Sequence, residues 1–506
     1  MEGIKVEVIS KEIIKPSSPT PNHLSHYQFS FLDQINPPVY TSLVLFFEFN
    51  GERQPTINEI SQHLKKSLAY VLTLYYPLAG RARLENHFVN CNDEGVPYLE
   101  AQVKNCQLSE VLNNPIPEEL NKLVPFELDD VAGEFLLGVQ LNMFECGGFA
   151  IGLCTSHKIA DGLSMLMFTK TWAAIARGGH DHDDNQAKIE RPEFVSASLF
   201  PPKEITGYDA HVGITRNKVT KRFVFDASTI EELRKKYTGL ESNKIRPSRI
   251  ETLSAFIWRR IVEAAKGGDH IDVENKLHML IHAVNLRPQM DPPLPRSSFG
   301  NICLISMTGP FTSSNTSLDN DPCYGMVRHI REAMSKIDNE YVKRLREGDE
   351  HLSSFKKLAD SFTREHLVTY NFTSLCRYPL YDNDFGWGRP TWVGLPALTF
   401  KNLIVFLDTK EAGGGGSGIE AYVSLEKQVM AKFETDVFLQ PRLGTSRVSS
   451  PTSTLTRQQA RFSQVTKYHT QSRPSLCCER PIQTKPMKIL WSGSVSLRLL
   501  LKVLKK

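Results

Sequence analysis

The segment Ser156-His157-Lys158-Ile159-Ala160-Asp161-Gly162 sets an imidazole and a carboxylate four residues apart, the second directly before a glycine. Histidine is the side chain whose ordinary pKa lets a neutral ring take a proton from an alcohol near pH 7. At the end of a strand its backbone is rigid and its ring can project into a cleft. An aspartate before glycine suits a tight turn, where it can bind backbone or a basic group and fix the histidine's segment. By itself, this spacing is more commonly that of a histidine simply satisfied at a strand end. A second segment, Asp384-Phe385-Gly386-Trp387-Gly388, lies far downstream. Two glycines bracketing a tryptophan are closer to a structural turn than to proton transfer. If Asp384 is buried it needs a partner, and an arginine is the natural one.

Other reactive types are weaker candidates. Cys154 lies three residues before His157, and odd spacing on a strand sends the two side chains to opposite faces. His180, Asp181, His182 and Asp183 contain metal-binding types, but consecutive residues in an acidic loop converge poorly on one ion, so no metal site is expected. The glycine run 413–418 lacks the lysine and helix of a phosphate loop and reads as a hairpin connection.

The elements around these residues are α/β in character. Gly147 to Ser156 is a short apolar run with little polar alternation, as in a buried strand, and it delivers His157 directly. Asp161 and Gly162 open a helical stretch ending at Gly178-Gly179. Thr56 with Glu59, and Ser248 with Glu251, have capping-box spacing ahead of helices with apolar faces. Strands are expected at 42–49, at 88–91 and 96–103 on either side of the turn 92–95, at 221–226, at 277–287, at 403–408 and at 419–425. Residues 180–218 are rich in proline, glycine and charge, and suit a crossover between two domains.

HKIADG and DFGWG, in this order and separation, resemble the plant BAHD acyltransferase family. So do Tyr76–Arg81 (YPLAGR), Cys91–Pro97 (CNDEGVP), Asn285–Pro295 with Phe299–Asn301 (FGN), and residues 371–390. The stretch ending in CTSHKIADG resembles the branch that contains vinorine synthase and other alkaloid, acylsugar and terpenoid acyltransferases. Bacterial acetyltransferases and peptide-synthetase condensation domains also carry HxxxD. The latter usually have two adjacent histidines, whereas residue 156 here is serine.

The resemblance implies a two-domain, chloramphenicol acetyltransferase-like α/β fold of mixed sheets and helices with a channel between the domains. Residues 1–190 would form the first domain, 191–218 the crossover loop, and 219–439 the second domain. His157 matches the family's general base; Asp161, with Gly162, matches an aspartate that faces away from substrate and holds the site's geometry. Asp384, Gly386, Trp387 and Gly388 match a structural loop, and Arg287 is the expected salt-bridge partner of Asp384. Thr373 matches a position that steadies the tetrahedral oxyanion. Many relatives carry tryptophan where this chain has Leu375, so the pocket is expected to differ there. The implied reaction carries an acetyl or short acyl group from acyl-CoA, as co-substrate, to a hydroxyl of an alkaloid, acylsugar or terpenoid, with no bound cofactor. A catalytically silent relative that binds a ligand or partner is the alternative, and the intact HxxxDG opposes it.

The 506 residues, 41% hydrophobic and 23% charged, suit a globular protein of two ordinary domains. No stretch approaches the roughly 18 consecutive apolar residues a spanning helix needs, and the N-terminus has no apolar signal core. The nine cysteines are scattered without metal-ligand spacing. A monomer in the cytoplasm, with no stable membrane insertion, is therefore expected. The net charge of +4 conceals thirteen basic residues against Glu479 alone after position 440. The remaining body is mildly acidic, which argues against a nucleic-acid surface. The basic tail, 440–506, is unlike the family, with the bias of a read-through, a frame change or a mis-assembled terminal exon, and disorder is expected there. A basic amphipathic membrane-surface segment at its end is the rival expectation.

Overall fold

A computed structural model describes residues 3–49, 55–128, 133–178, 189–204, 215–238, 246–266, 276–312, 322–347, 367–410 and 418–435. The loop His180–Asp183, most of the glycine run and the tail lie outside the described residues.

Two six-stranded mixed sheets carry the architecture. The first is built from β1 (Lys5–Ile14), β3 (Tyr40–Phe47), β6 (Val96–Lys104), β7 (Leu137–Phe144), β8 (Phe149–Ser156) and β13 (Trp392–Gly394), in the order β1-β6-β7-β8-β3-β13. The second uses β9 (Val219–Phe225), β10 (Leu277–Asn285), β11 (Cys303–Thr312), β12 (Leu367–Ser374), β14 (Leu403–Asp408) and β15 (Ile419–Leu425), in the order β11-β10-β12-β14-β15-β9. A small third sheet joins β2 (His26–Gln28), β4 (Arg81–Arg83) and β5 (Phe88–Asn90). Its membership explains the turn at 92–95. The strands on either side of that turn pair into different sheets, so they form no hairpin.

The local signals act as their chemistry dictates. All eight residues of β8 are buried, because β7 and β3 flank it on both sides and apolar side chains fill both of its faces. Thr56 caps the helix Ile57–Leu74 and Ser248 caps Arg249–Ala265, each within a complete capping box. The helix Gly162–Ala176 has twelve of its fifteen residues buried, so it lies in the interior instead of lining a surface. The N-terminal segment, whose charges mask any apolar run, forms the edge strand β1 and stays largely exposed.

The halves are tied across the sheets. β13, from late in the chain, pairs with β3. Its Trp392 donates its indole N–H to Glu420 of β15 at 3.2 Å, and Arg222 of β9 grips the same carboxylate with two 2.7 Å bonds. The largest apolar cluster follows this seam, running from Phe46, Phe149 and Trp172 to Val405, Leu407 and Tyr422 on the second sheet.

Candidate active site

The β3–β8 ladder extends one step past its last strand residue. The His157 amide donates to the Val39 carbonyl at 2.8 Å, fixing the backbone where β8 ends. The imidazole then meets Asn301, whose Oδ1 lies 3.1 Å from His157 Nδ1. The amide nitrogen of Asn301 is committed elsewhere, donating to the His157 carbonyl at 2.8 Å and to Asp33 Oδ1 at 2.8 Å. Both of these are pure acceptors, so the Asn301 oxygen is the atom left for the ring. A ring that donates from Nδ1 to an amide oxygen presents an unprotonated Nε2. Burial holds the His157 pKa below its ordinary value, outweighing the opposing pulls of the bond to its own main chain, of Asp161 and of Asn301, so the neutral ring prevails at pH 7.

Asp161 is the N-cap of the helix Gly162–Ala176, accepting from the Ser164 amide at 2.8 Å. Its carboxylate also takes Arg287 at 2.8 and 3.2 Å and the Ile302 amide at 3.1 Å. Burial alone would raise its pKa, but Arg287 and the Ser164 hydrogen bonds hold it below the usual carboxylate range. Arg287 in turn donates to the carbonyls of Ser298 and Gly300. Asp161 and Arg287 thus clamp the turn after His157 to the segment that presents Asn301. No hydrogen bond ties the Asp161 carboxylate to the imidazole.

The pairing expected between Arg287 and Asp384 is corrected. Arg287 is buried, and Asp161, Ser164, Asn285, Ser298 and Gly300 occupy its guanidinium. Asp384 instead accepts from the amides of Gly386 and Gly388, both at 2.9 Å, and lies 3.6 Å from Arg177. Both glycines have positive φ, 107° and 95°, which lets the turn fold its amides back onto the carboxylate. Phe385 is fully buried against Trp172, and Trp387 sets its edge against Phe149 and His63. Among the described residues, the hydrogen bonds and ring contacts of residues 384–388 do not reach His157, Asp161 or Asn301. Replacing Asp384 by Ala is expected to lower stability by about 0.5–1.5 kcal/mol, because two exposed turn amides exchange its carboxylate for water. Asp384→Asn keeps an oxygen for them and should recover most of it. Thermal melts of the two variants check this; equal melting would remove the turn-holding role.

Gly162 lies against Leu375, since a Cβ there would come within 2.7 Å of Leu375 Cδ2. The residue that departs from the family pattern therefore touches the start of the site helix. Thr373, in β12, is half-buried and paired in register with Val405; the structure gives it no bond to His157. Cys154 hydrogen-bonds Ser42 at 3.0 Å, and burial pushes its thiol up to about 12, which leaves negligible thiolate at pH 7.

Two residues the motifs left without a role complete the site. Asn301 stood inside the FGN stretch, and Asp33 in the capping-box spacing Ser30-Phe31-Leu32-Asp33. Each signal was local and gave no hint of its distant partner.

Comparison with known proteins gives the family of the chain. The model of the Transferase family matches residues 4–439. A limonoid 21-O-acetyltransferase of Melia azedarach is 37% identical over 438 residues, 86% of this chain and 97% of that protein. A stemmadenine O-acetyltransferase of Catharanthus roseus is 34% identical over 439 residues, 85% and 97% of the two chains. The crystal structure of vinorine synthase superposes with a TM-score of 0.73 at 32% identity, covering 88% of this chain and all of that one. The crystal structure of F. graminearum TRI101 complexed with coenzyme A and deoxynivalenol shares the fold at a TM-score of 0.63 and 16% identity, over 82% and 98% of the two chains. Matched across the whole region that carries both sheets and the histidine, this chain belongs to the Transferase family, the BAHD acyltransferases, and is an acyl-CoA-dependent acyltransferase.

Proposed function

We propose that the chain moves an acetyl or other short acyl group from acyl-CoA to a hydroxyl of a plant specialised metabolite, an alkaloid, acylsugar or terpenoid, with His157 as general base. The observation that carries this is the Asn301 contact on Nδ1, which leaves Nε2 of a neutral ring free to accept a proton. Nε2 takes the hydroxyl proton as the alcohol oxygen attacks the thioester carbonyl. The tetrahedral oxyanion collapses, the carbon–sulfur bond breaks, and the histidinium returns the proton to the departing thiolate. A thioester is already activated, so a base and correct positioning carry the reaction without a covalent enzyme intermediate. Thr373, whose hydroxyl makes no hydrogen bond among the described residues, is free to donate to the oxyanion. Asp161, Gly162 and Arg287 act through geometry, and Asp384, Gly386, Trp387 and Gly388 shape a turn remote from the chemistry.

The acetyl preference and acceptor class follow the relatives named for limonoid and stemmadenine O-acetylation. We also propose that residues 1–190 and 219–439 act as two domains joined by 191–218, with the substrates meeting in a channel between them, in a cytoplasmic monomer. Among the described residues no helix is long and apolar enough to cross a membrane. Purified protein incubated with acetyl-CoA and pools of plant alcohols tests the reading by mass spectrometry. Acetyl-ester products with release of free coenzyme A are expected. Alcohols that bind while the thioester stays intact would instead establish a silent ligand-binding relative.

A further inference from the structure

Ser30-Phe31-Leu32-Asp33 opens the short helix Phe31–Ile35 with a capping box in which the Ser30 amide and hydroxyl both donate to Asp33 Oδ2, at 2.8 and 2.6 Å. An aspartate is almost never fully buried unless it is paired. Asp33 is fully buried. Its second oxygen, Oδ1, takes two donors from one residue 268 positions away: the Asn301 backbone amide at 3.1 Å and Asn301 Nδ2 at 2.8 Å. The ammonium of Lys158, the residue next to His157, sits on the same turn, donating to the carbonyls of Gln34 at 2.8 Å and Asp33 at 3.4 Å.

We infer that Asp33 is a positioning residue that sets the tautomer of His157 by fixing which way the Asn301 amide points. The argument rests on the reading of His157 as the base. A primary amide can turn over, exchanging its oxygen and its NH₂. In the observed orientation the NH₂ spans two acceptors, Asp33 Oδ1 and the His157 carbonyl, and the oxygen faces Nδ1. Turned over, the amide would press its oxygen against a carboxylate oxygen and a carbonyl oxygen. It would also point an N–H at Nδ1, so the ring proton would move to Nε2 and the base would be lost. The charged acceptor makes that reversal most unfavourable, because hydrogen bonds to ionised groups are the strong ones. Burial pushes the Asp33 carboxyl up to about 6, against the lowering bonds from Ser30 and Asn301, so it is ionised at neutral pH. Its neighbours Tyr27 and Cys303 are both held neutral, burial being the main cause. Lys158 faces this turn as a cation, and Lys203 sets its ammonium 5.3 Å from the centre of the Phe31 ring on the same helix.

The relay reaches no substrate atom, so its signature is the ring itself. Full-length protein with ¹⁵N-labelled histidine, free of donor and acceptor, reports which imidazole nitrogen carries the proton; the His157 signals are identified by their loss in His157→Gln. Wild type is expected to show protonated Nδ1. Asp33→Asn, close in shape but neutral and able to offer Asn301 a donor, should populate the Nε2–H form. It should also lower kcat by about 10–100-fold with KM little changed. Asn301→Ala, which leaves the Asp33 cap intact, should release the same tautomer, and adding Asp33→Asn to it should slow the enzyme no further. Ser30→Ala removes a bond that lowers the Asp33 pKa without touching Asn301, so it should lower the melting temperature and move the appearance of the Nε2–H form to higher pH. A wild-type tautomer in Asp33→Asn, or losses that multiply in the double variant, overturns the relay. Turnover at the wild-type rate in His157→Ala would overturn the base assignment alone, since the tautomer is read without any reaction.

Discussion

His157→Ala is expected to lower kcat by about 10²–10⁴-fold, the usual worth of a positioned general base, with acyl-CoA binding and folding little altered. The ring bonds Asn301 and the main chain of its own residue, and the backbone amide of residue 157 keeps its bond to Val39 in the variant. What is lost is the acceptor for the hydroxyl proton. Activity should persist at a low level, because the thioester remains activated and both substrates remain positioned. The wild-type pH–rate profile gives an independent check. Burial lowers the His157 pKa, and only the neutral ring is active, so the acid limb should fall off below about 6.5, the ordinary imidazole value. Steady-state kinetics on an authentic acceptor from pH 5 to 8 measure both. A variant that turns over at wild-type rate would remove His157 from the chemistry.

Asp161→Ala should be damaging for a different reason. Arg287 would be left buried without its counter-charge, which typically costs about 3–5 kcal/mol. The helix Gly162–Ala176 would also lose its N-cap, and the Ile302 amide its acceptor. The turn carrying His157 and the segment carrying Asn301 would then come apart, so kcat should fall together with the melting temperature. Asp161→Asn keeps an oxygen for the Ser164 amide and should be the milder change. The folded carboxyl lies below its ordinary value, so the unfolded chain binds the proton more readily. The pair's contribution is therefore complete at neutral pH and is lost on acidification below about 3.9 toward the folded value. Removing both charges, as in Asp161→Ala with Arg287→Met, should cost less than the two single changes combined. Thermal melts beside kcat decide the matter. Lost activity at unchanged melting, with only a shifted pH profile, would make Asp161 a proton-transfer group.

The sequence by itself determined the features whose causes lie within a few residues. Thr56 with Glu59 and Ser248 with Glu251 announced capped helices because a box closes over three positions. The apolar run before His157 announced a buried strand, and that strand forms and ends directly before His157. The motifs also carried the family, and with it the fold class, since matched blocks extend over residues 4–439. Partner choice was another matter. Arg287 has two carboxylates downstream and upstream to select from, and its sequence neighbourhood favours neither. The fold selects Asp161, 126 residues back, because both lie in the interior where an unpaired charge is costly, whereas Asp384 finds its donors within its own turn. Asn301 and Asp33 were invisible as site residues for the same reason. Their roles exist only once segments 144 and 268 residues apart meet, and a hydrogen bond of about 3 Å leaves no periodicity in the chain that makes it.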